Sequence, residues 1–170
     1  MQFNLFYSMI IFSAITLVAC NRQSNTGLNT RPQAKQSGQQ QTIDQTTKSL
    51  ITLAQQKEGS RYKYGGTGPR TFDCSGFTQY VFSQTGIEIP RRSVDQASAG
   101  KKISVDAALP GDLLVFKKGR KVQHIGIVVR SAQGELWVTH ASTSRGVITE
   151  NVLSSPYWKS RIRFARRVLP

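Results

Sequence analysis

The sequence is poor in the residue types on which several protein classes depend. Two cysteines in 170 residues allow at most one disulfide, which excludes a small domain held together by several of them. Six prolines and 14 glycines are too few for a collagen-like chain, and no internal repeat is visible. The length and the hydrophobic content of 38% therefore fit one globular domain with a tail, or at most two very small domains.

Acidic residues are also scarce. Nine aspartates and glutamates stand against 23 lysines and arginines, so the formal net charge is +14 and the isoelectric point is about 10.4. A charge of this size favours an anionic partner, such as nucleic acid, a lipid surface or an acidic polymer of the bacterial cell wall.

Charged side chains are absent from residues 1–19, and the stretch from Met9 to Ala19 is almost entirely apolar. That stretch is too short for a membrane span and has the length of the apolar region of a signal peptide. It ends in LVAC (17–20), which resembles the lipobox of bacterial lipoproteins and implies cleavage before Cys20 and acylation of its sulfur. The alternatives are a secretory signal with an incidental cysteine and an uncleaved helical anchor.

The predicted domain organisation has three parts: a lipoprotein signal peptide at 1–19, the lipidated Cys20 with a disordered tether at 20–46, and a folded domain at 47–170. The tether is predicted from composition, because it is mostly polar and has too few aliphatic residues to fold on. An export signal argues against nucleic acid as the anionic partner, so we expect none.

Periodicity changes along the folded part from helical to strand-like. Helical spacing of apolar residues predicts helices at 46–58, 74–85 and 93–99, the last capped by Ser93. After residue 111 the pattern predicts strands at 113–116, 124–130, 135–140 and 161–167. Helices followed by an antiparallel sheet make an α+β domain.

Cys74 opens a predicted helix directly after a glycine-rich loop. The free backbone N–H groups at a helix N-terminus stabilise a thiolate, so this position predicts a lowered pKa for the thiol. The same N–H groups can donate hydrogen bonds to a developing oxyanion. The alternative is a small buried apolar residue, which is what most free cysteines are.

The only two histidines, His124 and His140, lie at the ends of neighbouring predicted strands. Either one alone would be interpreted as a surface or capping residue. Together with the unpaired Cys74 they supply a thiol, a base and a third polar group, which is the set that nucleophilic cysteine catalysis needs. Zinc is the competing use of such residues, but no metal site is predicted because neither CxxC nor HExxH spacing occurs.

Six short motifs follow one another along the folded part: YKYGG (62–66), FDCSGF (72–77), PRRS (90–93) with Gln96, LPGDL (109–113), HIGI (124–127) and HAS (140–142). Through these motifs the sequence resembles a known family, the NlpC-type cell-wall cysteine peptidases, which are papain-like and related to the CHAP amidases. The resemblance runs from about residue 48 to residue 168, with every block in the family order. A lipobox followed by one such domain looks most like the small murein endopeptidase lipoproteins.

The resemblance implies a papain-like fold with N-terminal helices packed on a C-terminal antiparallel sheet. It also implies the catalytic roles: Cys74 matches the nucleophile, His124 the base and His140 the residue that orients the base. Tyr62 matches a tyrosine whose hydroxyl helps the Cys74 backbone amide to hold the oxyanion.

Two further positions, Asp73 and Ser75, match residues that in some members of the family bind the substrate peptide, often at its free amine. Two of the matched residues have a purely structural alternative. The role of Tyr62 would then be to pack the loop, and the role of Asp73 would be to cap the helix.

The expected function is therefore cleavage of an amide bond in peptidoglycan stem peptides, without a metal or an organic cofactor. The expected protein is a monomer, bound to the bilayer by its acylated Cys20 on the periplasmic side of an outer membrane. The alternatives are a catalytically silent wall-binding module, and an acyltransferase or amidase on the same scaffold.

Overall fold

The computed structural model describes residues 34–169, with side chains from residue 39 onward. The predicted signal peptide, Cys20 and the first part of the tether lie outside these residues. Within the described part of the chain, no helix is both long and apolar enough to cross a bilayer.

Four helices and eight strands make up the described chain. The helices are α1 (Ala34–Gln56), α2 (Cys74–Gln84), α3 (Ser93–Gln96) and α4 (Pro156–Lys159), with a 3₁₀ turn at Val105–Ala107. The strands are β1 (Arg61–Tyr62), β2 (Thr71–Phe72), β3 (Lys101–Ile103), β4 (Leu113–Lys118), β5 (Lys121–Ala132), β6 (Glu135–Ser142), β7 (Gly146–Asn151) and β8 (Ile162–Arg167).

Six strands form one antiparallel sheet in the order β3-β8-β4-β5-β6-β7, while β1 and β2 form a small parallel pair beside it. Three of the sheet's connections are short hairpins, which join β4 to β5, β5 to β6 and β6 to β7. The last strand, β8, returns to lie between β3 and β4. The predicted α+β class, helices first and then an antiparallel sheet, is confirmed.

The central strands of the sheet are buried on both faces, and their sequences are accordingly apolar. Leu113 and Val115 of β4 belong to the core shared with α1 and α2, whereas Leu114 and Phe116 belong to a second core beneath α4. Alternate residues of a strand point to opposite faces, so an unbroken apolar run is what a strand buried on both faces requires.

The first helix is longer than predicted. It begins at Ala34 instead of about residue 46, so residues 34–46, which were predicted as part of a tether, are helical. Glutamine, alanine and lysine are adequate helix formers, and a helix anchored by its buried end at Leu50 and Ala54 can extend into polar sequence. Apolar periodicity detects only the packed end of such a helix.

The second helix matches its prediction within one residue, and Gly86 ends it as expected. Gly86 has a positive φ of 79°, and its N–H donates to the carbonyl of Ser83 while that of Ile87 donates to Phe82. This is the Schellman arrangement for which glycine is preferred. The third helix is shorter than predicted and ends at Gln96, and its cap is Arg92 instead of Ser93.

All four predicted strands are present as β4, β5, β6 and β8, with bounds that differ by up to three residues. Four strands were not predicted: the short pair β1 and β2, and β3 and β7 at the two edges of the sheet. The short helix α4 was not predicted either. Edge strands carry mixed, partly exposed side chains, so their apolar alternation is weak.

Candidate active site

Cys74 is the first residue of α2, and Asp73 caps that helix. Oδ1 of Asp73 accepts a hydrogen bond of 2.7 Å from the N–H of Gly76, while Oδ2 accepts one of 2.9 Å from Gly65. A Cβ at position 76 would lie 2.0 Å from the carbonyl oxygen of Gly66. Glycine is therefore required for the glycine-rich loop to lie directly against the start of the helix.

Asp73 is also held by a cation that the sequence analysis did not single out. Arg91 donates from both terminal nitrogens to Asp73, at 2.6 and 3.0 Å, and at 2.9 Å to the hydroxyl of Ser75. Burial acts to raise the pKa of Asp73, but the hydrogen bonds from Arg91 and Gly76 outweigh it and hold that pKa below its usual value. Asp73 is thus ionised and paired.

His124 and His140 come together on adjacent strands, as the sequence analysis expected. Nε2 of His124 lies 2.9 Å from Nδ1 of His140, and the two rings meet edge to face. Both histidines are buried, and both lie inside their strands instead of at the strand ends. A Cβ at Gly126 would lie 2.9 Å from the Cβ of His140. Because glycine has no side chain, the strand leaves room for the side chain of His140 at this position.

The site contains three residues that the sequence analysis missed. Nε2 of His140 lies 2.9 Å from Oε1 of Glu150, and the same oxygen accepts from Trp158 at 2.9 Å and from Arg145 at 2.7 Å. The Trp158 ring also stacks on His124 at 4.8 Å between centroids. Glu150 lies on the missed strand β7, diagonally across from His140, whose direct partner is Ile148.

Burial is the main cause of the pKa shifts of His124 and Cys74. It lowers the pKa of His124 to about 3, with a further lowering from His140. It also raises the pKa of Cys74, and Asp73 adds to the rise, whereas backbone hydrogen bonds from Ser75 and Ile125 oppose it. The predicted lowering of the pKa of Cys74 is therefore wrong, because loss of hydration outweighs the helix N-terminus. Both shifts favour a neutral thiol and a neutral imidazole in the resting site.

The hydrogen bond from Ile125 also locates the thiol, since Ile125 follows His124 directly on β5. Tyr62 lies beside Cys74 in the same cavity. Burial raises the pKa of Tyr62, and Cys74 and Asp73 raise it further, so the hydroxyl keeps its proton and remains a donor.

Two cavities flank the site. One, of about 460 Å³, is lined by Cys74 and by the other predicted site residues of the α2 end, namely Tyr62, Asp73 and Ser75, together with Arg91. The other, of about 310 Å³, is lined by His124 and by Ser142, Arg145 and Trp158. Gln123 lines both, so the thiol and the imidazole open onto neighbouring cavities.

The comparison with known proteins agrees with this geometry. The model of the NlpC/P60 family matches residues 59–167. This chain belongs to the NlpC/P60 family. The stretch matched includes Tyr62, Cys74, His124, His140 and Glu150, so every residue of the site just described lies inside the NlpC/P60 domain.

Relatives of the NlpC/P60 domain include a protein similar to this chain over most of its length. Murein DD-endopeptidase MepS/murein LD-carboxypeptidase of Escherichia coli K12 is 35% identical over 172 residues, covering 92% of this chain and 88% of that protein. The solved NlpC/P60 domain of the peptidoglycan hydrolase SagA superposes with a TM-score of 0.60 at 35% identity, covering 71% of this chain and 97% of that domain. A lipoprotein-like NLP/P60 family protein of Staphylococcus aureus Mu50 gives a TM-score of 0.64 at 34% identity over 75% of this chain, which spans only 42% of that longer protein.

Proposed function

We propose that this chain is a peptidoglycan hydrolase that cleaves an amide bond of stem peptides, with Cys74 as nucleophile, His124 as base and His140 as the residue that orients the base. The observation that supports it best is the 2.9 Å contact between Nε2 of His124 and Nδ1 of His140, together with the hydrogen bond that the backbone of Ile125, the residue after His124, makes to Cys74. A thiol, a base and an orienting group are the parts that a cysteine peptidase needs. The chain's membership of the NlpC/P60 family supports the substrate class.

The proposed reaction begins from the neutral pair. His124 takes the proton of the Cys74 thiol as the sulfur attacks the carbonyl carbon, which makes a tetrahedral intermediate. The backbone N–H of Cys74 and the hydroxyl of Tyr62 donate to its oxyanion. His124 then gives the proton to the leaving amine nitrogen, so that the carbon–nitrogen bond breaks and a thioester remains. Water attacks the thioester while His124 accepts its proton, and the acid and the free thiol are released.

Substrate binding is assigned to the cavity beside Cys74. Asp73 and Ser75 line it, as expected for residues that bind a stem peptide. Because the Asp73 carboxylate is already paired with Arg91, a bound amine would meet a carboxylate whose charge is shared. The hydroxyl of Ser75 accepts from the same arginine. We therefore propose that Tyr62 contacts the peptide directly, while Asp73 and Ser75 mainly hold the loop and the helix in place.

Digestion of purified peptidoglycan by the full chain, followed by mass spectrometry of the muropeptides, tests this proposal. Loss of cross-linked dimers would indicate cleavage of the cross-link, and shortened stems would indicate cleavage within one stem. In either case the masses of the two fragments should add up to the mass of the parent muropeptide plus one water. Neither cleavage should occur with Cys74→Ala. A wall-binding module without catalysis would bind peptidoglycan and leave its masses unchanged, and an acyltransferase would join stems instead of hydrolysing them.

Anchoring is a separate part of the proposal. The lipobox motif supports acylation of Cys20 and a location on the periplasmic side of an outer membrane, where the domain would reach peptidoglycan. Metabolic labelling with a palmitate analogue should mark the wild-type protein and leave Cys20→Ser unlabelled. Equal labelling of the two proteins would contradict the lipoprotein assignment without affecting the hydrolase assignment.

A further inference from the structure

Glu150 determines which ring nitrogens of the two histidines can carry hydrogen. Burial acts to raise the pKa of Glu150, but hydrogen bonds from Arg145, His140 and Trp158 outweigh it, so that pKa lies below its usual value and the group is a carboxylate. A carboxylate can only accept hydrogen bonds, so Nε2 of His140, 2.9 Å away, must donate.

The hydrogen positions on His140 and then on His124 follow from the carboxylate of Glu150. Burial lowers the pKa of His140, so its ring is neutral and has a single N–H, which Glu150 places on Nε2. Nδ1 of His140 is then an acceptor, and Nε2 of His124 must donate to it across 2.9 Å. Because His124 is also neutral, its Nδ1 has no hydrogen and is the nitrogen that can accept a proton.

We propose that Glu150 is a positioning residue that fixes the tautomers of both imidazoles, so that Nδ1 of His124 is free to take the proton of Cys74. Arg145 and Trp158 hold the carboxylate at its place by donating to the same oxygen. The consequence for catalysis rests on the proposed function, whereas the tautomers can be measured without any activity.

Glu150→Leu, compared with Glu150→Gln, tests the role of the accepting oxygen. The leucine variant removes it, and we expect mixed tautomers and a fall in kcat of about 10- to 100-fold with little change in KM, since a wrongly placed hydrogen disables the base. The glutamine variant keeps an oxygen toward which Arg145 and Trp158 both donate, and it should recover most of that loss.

Nitrogen-15 NMR of the two histidines supplies a readout that a merely structural role would not change. The wild type should show protonated Nε2 and bare Nδ1 on both rings, and Glu150→Leu should not. Glu135→Leu is a matched control, because Glu135 also accepts from an arginine and a tryptophan, Arg130 and Trp137, but contacts no histidine.

Unchanged histidine shifts in a folded Glu150→Leu protein would overturn the tautomer assignment, as would bare Nε2 nitrogens in the wild type. Altered tautomers with wild-type kcat would overturn the positioning role. If neither the wild type nor any variant hydrolysed peptidoglycan while the tautomers were as expected, the proposed function would fail. The tautomer assignment would still stand.

A second observation concerns a different surface, a groove bordered by cations. A cavity of about 670 Å³ is lined by the side chains that we name the basic groove: Lys102, Lys117, Arg120, Lys121, Phe164 and Arg166. No acidic side chain is among the described residues that line it. The cationic groups of Lys102, Lys117 and Arg166 lie 4.9 to 5.4 Å from the centre of the Phe164 ring, so the three cations cluster around one aromatic side chain.

The basic groove lies close to the cavity that contains Cys74, because neighbouring residues of the chain line the two. Ser93 of α3 lines the Cys74 cavity and Val94 lines the groove; Gln123 of β5 lines the Cys74 cavity and Val122 lines the groove. A long chain bound at Cys74 is therefore within reach of the cations.

We infer that the basic groove binds the carboxylate-bearing peptides of a peptidoglycan strand beyond the bond that is cut. This inference rests on the proposed function for the identity of the ligand. Arg166 donates to the backbone carbonyls of Ala97 and Gly100, and none of the described cations of the groove has a carboxylate partner. Cations without carboxylate partners beside an apolar ring suit an extended chain with repeated carboxylates, and such attraction weakens as salt is raised.

Sedimentation of the full-length Cys74→Ala protein with insoluble peptidoglycan tests the groove without turnover. Adding Lys117→Gln and Lys121→Gln should weaken binding by about three- to tenfold at low salt, because each exposed cation contributes modestly. The matched control adds Lys48→Gln and Lys159→Gln, which remove the same charge from exposed positions outside the groove.

Equal weakening by both pairs would show that net charge alone attracts the protein, and would overturn the groove. Loss of binding to vesicles with 30% phosphatidylglycerol, with peptidoglycan binding intact, would assign the cations to a lipid surface and overturn it as well. Because the protein carries Cys74→Ala throughout, a failure of the proposed catalysis would leave these measurements unaffected.

Discussion

Arg91 joins Asp73 through two parallel hydrogen bonds, of 3.0 Å to Oδ1 and 2.6 Å to Oδ2, immediately before the nucleophile position. The Asp73 side chain is only 10% exposed, whereas the neighbouring pair of Arg92 with Asp95 lies at the surface. The two adjacent arginines therefore form the same kind of ion pair in opposite environments.

Arg91→Met should lower the free energy of unfolding by about 1–3 kcal/mol, because it leaves a largely buried carboxylate without its partner. Arg92→Met is the control, and it should have no measurable effect, since exposed ion pairs contribute little. Urea unfolding of both variants at pH 7 measures the difference. Equal effects of the two substitutions would contradict the structural role given to Arg91.

The thiol of Cys74 should react slowly with iodoacetamide at neutral pH. Burial and Asp73 raise the pKa of Cys74, so alkylation should increase only above the pKa of a free thiol, about 8.5. The measurement uses Cys20→Ser, in which Cys74 is the only thiol, with glutathione as the reference in the same buffers. Fast alkylation near pH 6 would instead indicate a thiolate paired with protonated His124, as the helix position alone had predicted.

The free energy of unfolding should fall as the pH is lowered from 7 to 5. His124 has a pKa of about 3 when folded and 6.5 when unfolded, so the unfolded chain binds the proton more readily below pH 6.5. Its stabilising contribution is complete above pH 6.5 and is lost as the pH falls toward 3, which amounts to about 2 kcal/mol at pH 5.

Urea unfolding at the two pH values measures this loss, and His124→Gln should show a smaller one. The pKa of His140 is lowered by burial too, so some pH dependence remains in that variant. The lowered pKa values of Asp73 and Glu150 affect stability only at more acidic pH. Equal stability at pH 7 and pH 5 in the wild type would refute the buried, neutral state of His124.

The catalytic residues should act as one unit. His124→Ala and Cys74→Ala should each abolish turnover, and the double variant should be little worse than either, because each substitution alone stops the same step. Release of soluble fragments from peptidoglycan measures turnover, and circular dichroism confirms that each variant is folded.

The third member of the set should tolerate a conservative change. His140→Asn keeps a side chain that can hydrogen-bond to His124 and should retain measurable activity, whereas His140→Ala should lose considerably more. Full activity of a folded His140→Ala protein would remove His140 from the set, and Ser142 or Gln123 would then be the residues to test for that role.

The amino-acid sequence by itself determined the elements that carry strong local signals. The buried run of β4 and the helix that begins at Cys74 and stops before Gly86 were predicted because an unbroken apolar run and a glycine stop leave plain patterns. The pairing of His124 with His140 was also predictable, since the chain has only two histidines and they lie on neighbouring strands.

Only the tertiary structure decided the contacts between residues that are distant in sequence and lie in weakly patterned segments. Glu150 belongs to an edge strand whose alternation is weak, and Arg91 reaches Asp73 across 18 residues from a loop. Neither side chain differs in sequence from an ordinary surface charge. Which charges become partners depends on how the elements pack.

The protonation of the site was decided in the same way. Local sequence placed Cys74 at a helix N-terminus, which lowers a thiol pKa, but packing α2 against β5 removed the water around the sulfur and raised it. Hydration of an ion is lost only when other parts of the chain cover it, and no local pattern records that covering. The position of Cys74 at the start of a helix was therefore determined by the sequence, and the pKa of its thiol by the tertiary structure.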